Sequence, residues 1–241
     1  HLMMIPSLQI DTKLLKKLKG KRTAYSVILT GFGRDRVILH YAKAAKISDG
    51  ENPNKLNASW FYVSSLHSKP ELLKKIVARA RKINAKIAFN PGTQELKLGL
   101  NGLKKIFGKL DVLILNKQEA LKLTHSTDIH RNLEKISKIA ENVVITDGEN
   151  GAKATDGEKI YSANAYNIKT LDVTGAGDAF GCGFVGALIK KKGIEKAMEY
   201  GIVNSGSVVQ ELGTKNILLS ESGIKNFIKK KGKVIIKKQK L

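Results

Sequence analysis

The residues best suited to chemistry lie together in Asp172-Val173-Thr174-Gly175-Ala176-Gly177-Asp178-Ala179-Phe180. Small residues at 175, 176 and 177 leave backbone amides uncovered where a helical pattern begins. Uncovered N–H groups and the positive end of a helix dipole make an anion pocket suited to a phosphate. Asp178 falls in the first turn of that helix. A carboxylate beside an anion pocket is repelled unless it has work there, and the work available is to accept a proton from a hydroxyl that attacks phosphorus. Aspartate is a weak base, so that transfer comes late in the transition state. The structural alternative makes Asp178 a charge that balances the helix dipole.

Other motifs carry less. Gly181-Cys182-Gly183-Phe184-Val185-Gly186 matches G-x-G-x-x-G, but it starts inside a helix instead of following a strand, so its glycines are read as close helix packing. Gly148–Thr155 lacks the spacing of a P-loop. Asn116 and Glu119 read by themselves as a helix N-cap with its N3 acid. His1, His40, His67, His125 and His130 show no spacing typical of zinc. Cys182 is read as a packed thiol, and Trp60 and Phe61 as core residues.

These groups need a scaffold. Tyr25–Leu29 and Val37–Tyr41 read as a hairpin around Gly31-Phe32-Gly33, after a helix end at Leu14–Leu18. Strand patterns follow at Trp60–Val63, Ile87–Phe89, Val112–Leu115 and Val143–Ile145, with two short strands near Ala152–Thr155 and Lys159–Ser162. Helical patterns lie between them at Pro70–Ile83, Glu95–Phe107, Gln118–Leu123 and Ile129–Ala140. Two long helices follow, Gly175 to about Lys192 and Ile194 to Gln210, then Ile224–Lys231 and the apolar Val234–Ile236. This alternation predicts an α/β fold with a mainly parallel sheet flanked by helices, as one domain over 1–241 with an atypical start over about 1–21. Three strands end in polar turns at Asn90, Asn116 and Thr146, the first and last of them with a glycine. Ligands of open parallel sheets bind beyond such carboxyl ends.

Composition narrows the classes. A single Cys excludes a disulfide framework and fits a reducing, cytoplasmic setting. No apolar run reaches the roughly 18–20 residues of a membrane span. The net charge of +22 invites a nucleic-acid reading, yet only six of the 43 basic residues are Arg. The lysines are dispersed and lack interleaved aromatic residues, so nucleic acid is not the expected partner.

Residues 172–180 and the small-residue helix after them resemble the carboxy-terminal signature of the ribokinase-like (PfkB) carbohydrate kinases, D-T-x-G-A-G-D-x-F, with Val at 173 in place of Thr. Asn116-Lys117-Gln118-Glu119 resembles the family's N-x-x-E motif. Val144–Gly151 resembles its T-x-G-x-x-G phosphate loop, and Gly206 to Gly213 the helix and turn beside the adenine. The resemblance runs from about residue 22 to the end. It implies an ATP-dependent kinase acting on a hydroxyl of a sugar or nucleoside, with Asp178 as catalytic base and Gly175, Ala176 and Gly177 as an anion hole. By the same resemblance, Asn116 and Glu119 would hold Mg²⁺, which keeps much of its water shell. Thr146, Gly148 and Gly151 would line the triphosphate, Asn204 and Gly213 the adenine end. Asp172 would lie near a K⁺ site of the kind many relatives use.

The front of the chain departs from the pattern. Relatives begin with a strand carrying an early Asp and a Gly-Gly-Asn-type motif that grips the sugar, and neither is found here. The nucleotide half is therefore expected to be intact and the acceptor half incomplete. The alternative expectation is an N-terminally truncated, catalytically silent nucleotide-binding remnant. Apolar residues that would cover the absent strand need a partner, which leaves room for a homo-oligomer.

Overall fold

The computed structural model describes residues 10–15, 25–30, 36–41, 52–66 and 69–241. Two compact units divide the chain, His1–Leu56 and Asn57–Leu241. In the first, β1 (Tyr25–Thr30) and β2 (Arg36–Tyr41) pair antiparallel from Tyr25↔Tyr41 to Thr30↔Arg36, which is the expected hairpin. Its connection at 31–33, and Lys16 to Leu18 of the expected early helix, lie outside the described residues.

The second unit is a seven-stranded sheet in the order β3-β4-β5-β6-β7-β8-β9. The strands β3 (Trp60–Val63), β4 (Lys86–Phe89), β5 (Leu110–Asn116) and β6 (Ala140–Thr146) run parallel. The strands β7 (Ala152–Thr155), β8 (Lys159–Ala163) and β9 (Lys237–Lys240) continue the sheet as antiparallel pairs. Helices α1 (Pro70–Lys82), α2 (Thr93–Leu96), α3 (Gly99–Phe107), α4 (Lys117–Thr124) and α5 (Ile129–Ser137) connect the parallel strands. After β8 come α6 (Ala176–Ile189), α7 (Gly193–Val208) and α8 (Glu221–Lys231). This is the ribokinase-like α/β architecture, with a mixed sheet, most of whose strands point the same way.

Residues 112–115 of β5 are buried without a break, as a parallel strand covered on both faces requires. The pleat sends Val112 and Ile114 into one cluster with Val144, Phe180, Phe184, Met198 and Val203, under α6 and α7. Burying a side chain such as Phe184 or Met198 stabilises the fold by about 1.5–3 kcal/mol. α6 and α7 pack at backbone distance, because a Cβ on Gly183 would come within 2.4 Å of the Tyr200 carbonyl oxygen. Gly181 and Gly183 thus serve close packing, as expected, whereas nothing approaches Gly186 within 4 Å.

Three expectations change. The helix read across Glu95–Phe107 is two helices, because Gly99 adopts φ +65° and ends the first turn. β9 was not expected: a segment of three lysines and a glutamine has no strand signal, yet it pairs Lys159↔Lys240 through Ser162↔Lys237. Its lysines lie on the sheet edge, where charge discourages pairing with another chain. Cys182 is exposed instead of packed, since it lies on the outward side of a helix that buries Ala179, Phe180, Gly183 and Phe184.

Candidate active site

Two strand ends and two helix starts build the site at the carboxyl edge of the parallel strands. Asn116 and Thr146 are register partners at the ends of β5 and β6, so these two sequence-predicted residues are neighbours. Asn116 caps α4: its Oδ1 accepts from Glu119 N at 2.9 Å, and Glu119 Oε2 accepts from Asn116 N at 2.8 Å. The capping box read from the sequence is therefore present. Burial pushes the Glu119 carboxyl above its ordinary value, against the lowering pull of the Asn116 amide and Lys122. A carboxylate destabilised in this way gains from a nearby cation. Between the two turns, Lys117 Nζ donates to Asp147 Oδ2 at 2.8 Å. This strap joins the N-x-x-E segment to the Thr146 turn, and it was not expected from the sequence.

The Thr146 turn closes through Gly151, whose carbonyl accepts from Asp147 N at 2.8 Å. Gly148 has φ +55° and open space around it, so its backbone is approachable. Gly151 has a different environment: a Cβ there would come within 2.1 Å of the Ala163 carbonyl oxygen, so this glycine seats the turn on β8.

The start of α6 is built differently. Gly175 is the N-cap residue in the left-handed region, and no side chain caps the helix. Ala176 N donates to Val173 O at 3.2 Å, while the amides of Gly175, Gly177 and Asp178 have no acceptor among the described residues. Of the three amides expected to form an anion hole, those of 175 and 177 are open, and that of 178 joins them. Asp178 and Gly177 are exposed, and nothing lies within 4 Å of a Cβ on Gly177. Asp172 Oδ1 accepts from Thr174 N at 2.9 Å, and Leu171 N donates to Val209 O at 2.8 Å, which holds the approach to α6 against the end of α7.

The expected adenine-end residues occupy unlike positions. Gly213, at φ +98°, is exposed, and its neighbour Thr214 comes within 2.9 Å of a Cβ on Gly175. The 213–214 turn and the 175–178 loop are thus side by side. Asn204 is 2% exposed, with Nδ2 donating to Ala179 O at 2.7 Å and Oδ1 accepting from Leu219 N at 3.1 Å. Both ends of its amide are used inside the fold, where it braces the first turn of α6 against the chain beyond α7.

Sequence reasoning missed Tyr62. Its hydroxyl lies 2.4 Å from the position a Cβ would take on Gly181, three residues after Asp178 on α6. The period-two burial of β3 held the available signal, since Phe61 and Val63 face one way and Trp60 and Tyr62 the other. Ile114 Cδ1 of β5 lies 3.4 Å from the same Cβ position, so the first turns of α6 sit over the ends of β3 and β5.

The pattern that defines the pfkB family of carbohydrate kinases matches residues 2–221. The chain belongs to this family. Similar curated proteins include an uncharacterized sugar kinase of Archaeoglobus fulgidus, 27% identical over 54% of this chain and 52% of that protein. A cytidine kinase of Thermococcus kodakarensis is 26% identical over 85% of this chain and 74% of its own length. The chain spans about half the length of the first of these relatives. Among solved structures, a putative ribokinase II of Escherichia coli in complex with ATP and Mg²⁺ superposes with a TM-score of 0.81 at 19% identity, covering 95% of this chain and 78% of that one.

The residues present fit magnesium. Asn116 and Glu119 offer hard oxygen donors, and among the described residues no three metal-ligating side chains gather into a cage. That arrangement suits an ion that keeps its waters and rides on nucleotide phosphates. Among the described residues no helix is long and apolar enough to cross a membrane.

Proposed function

We propose that this chain is an ATP-dependent kinase that transfers the γ-phosphoryl group to a hydroxyl of a sugar or nucleoside. The observation that carries the reading is the start of α6, where open amides and an exposed carboxylate share one turn. A helix of 14 residues with no cap of its own has unsatisfied donors and a positive dipole end. A phosphoryl group satisfies both.

In the reaction, the acceptor hydroxyl oxygen forms a bond to the γ-phosphorus as its proton passes to Asp178. The bond from that phosphorus to the β–γ bridging oxygen breaks, and ADP leaves. The amides of Gly175, Gly177 and Asp178 stabilise charge on the transferring group, an interaction that strengthens where water is excluded. Gly148 and Thr146 line the triphosphate, and the 213–214 turn lies toward the adenine end. Asn204 acts as a support, since it locks Ala179 O and with it the first turn. Asn116 and Glu119 would hold Mg²⁺, whose charge would neutralise the phosphates. Asp172 would be the carboxylate near a K⁺ ion, as the family resemblance implies. A reaction that consumes ATP fits a cytoplasmic location.

The test is an ADP-release assay of the purified chain with ATP, Mg²⁺ and a panel of sugars and nucleosides, read beside a calorimetric titration with ATP. Turnover of at least one acceptor is expected. ATP binding with no acceptor phosphorylated overturns the kinase reading.

A further inference from the structure

We propose that Tyr62 orients the acceptor: its hydroxyl donates a hydrogen bond to an oxygen of the acceptor and holds the attacking hydroxyl on the Asp178 side of α6. This deepens the kinase reading above and rests on it. Tyr62 projects from β3 on the face that meets α6, and its hydroxyl lies against Gly181. A side chain at 181 would collide with that oxygen, since the Cβ would lie 2.4 Å away, so the glycine is what admits the phenol. The hydroxyl has no hydrogen-bond partner among the described residues, although Tyr161 and Tyr166 both donate theirs. A phenol hydroxyl with no partner in the protein has its proton available for a bound molecule.

The residue is 43% exposed, so a bound molecule can reach it. Burial pushes the phenol up to about 12, and the charges of Asp178 and Cys182 add to the shift. Tyr62 therefore remains a donor at any working pH, beside an Asp178 carboxylate that accepts. A fixed donor beside an acceptor favours a molecule whose reactive hydroxyl has a second oxygen close by, as in a sugar or a ribose. Specificity of this kind comes from the polar group left unpaired when the wrong molecule enters.

Steady-state kinetics on the full chain, with an acceptor found in the ADP-release assay, test the proposal. Tyr62→Phe, which keeps the ring, is expected to raise the acceptor KM by about tenfold, the loss of one hydrogen bond, and to leave the ATP KM unchanged. Gly181→Ala is expected to give the same acceptor-selective defect, and to add nothing in a Tyr62→Ala background, because it acts by displacing the phenol. Cys182, exposed and one turn beyond Asp178, supplies a readout independent of turnover. Saturating acceptor is expected to slow its modification by a chromogenic disulfide, and Tyr62→Phe to require more acceptor for equal protection. An unchanged acceptor KM in Tyr62→Phe, an equal rise in the ATP KM, or no protection of Cys182 overturns the proposal alone. A wild type that phosphorylates no acceptor removes the kinase reading, and this proposal with it.

Discussion

Two of the helices that begin at the carboxyl edge of this sheet solve the problem of their first turn in opposite ways. α4 closes itself: Asn116 and Glu119 each cap the other's amide, at 2.9 and 2.8 Å. α6 has glycine as its N-cap residue and keeps its amides open. A helix start of the first kind is stable without a ligand and presents side-chain oxygens, which suit a hydrated cation. One of the second kind gives up a side-chain cap, at a cost for glycine of only a few tenths of a kcal/mol, and presents donors, which suit an anion. A cation-suited and an anion-suited helix start at one sheet edge match what the proposed nucleoside triphosphate with its metal requires.

Gly175→Ala should do the most damage. The residue has φ +83°, and the added Cβ would lie 2.9 Å from Thr214. A stability loss of about 1–3 kcal/mol in denaturant titration and weakened ATP binding are expected. Gly177→Glu separates the two properties of an open helix start. Space is free around Gly177, so the chain should fold and even gain about 0.3–1 kcal/mol from the dipole. Its new charge should at the same time weaken ATP binding about tenfold by calorimetry, the size of one screened like-charge contact. Undiminished ATP affinity would mean the phosphates bind elsewhere.

Asn116→Ala tests the closed start. It should cost about 1 kcal/mol of stability and raise the Mg²⁺ concentration needed for half-maximal turnover. A stability loss alone would leave α4 with only its structural task. The smallest effect lies away from the site, where Lys190 and Lys192 pair with Glu221 and hold its carboxyl at about 2. The folded value lies below the ordinary 4.5, so the stabilisation is complete above pH 4.5 and disappears as pH falls toward 2. The Tm gap between wild type and Glu221→Gln should be small above pH 4.5 and close by pH 2, because exposed pairs contribute little.

Much of this was legible because local chemistry wrote it. Asn90, Asn116 and Thr146 mark strand ends through turn residues beside apolar runs, and the open loop at 175–177 follows from three small residues in a row. What escaped depends on partners distant in sequence. Tyr62 matters because it meets Gly181, Gly175 because it meets Thr214, and Asn204 because it braces Ala179. Lys237–Lys240 becomes a strand only because β8 offers an edge, which overrides a composition of lysines. The small neighbours of Cys182 predict a packed thiol, while its helix turns that position outward.

The carboxylate beside the open amides is tested most directly by turnover and ATP affinity of Asp178→Asn against wild type. Asparagine keeps the shape and loses the proton acceptor. The expected result is ATP binding at least as tight as in the wild type with turnover lower by about 10²–10⁴-fold. Turnover equal to the wild type would contradict it.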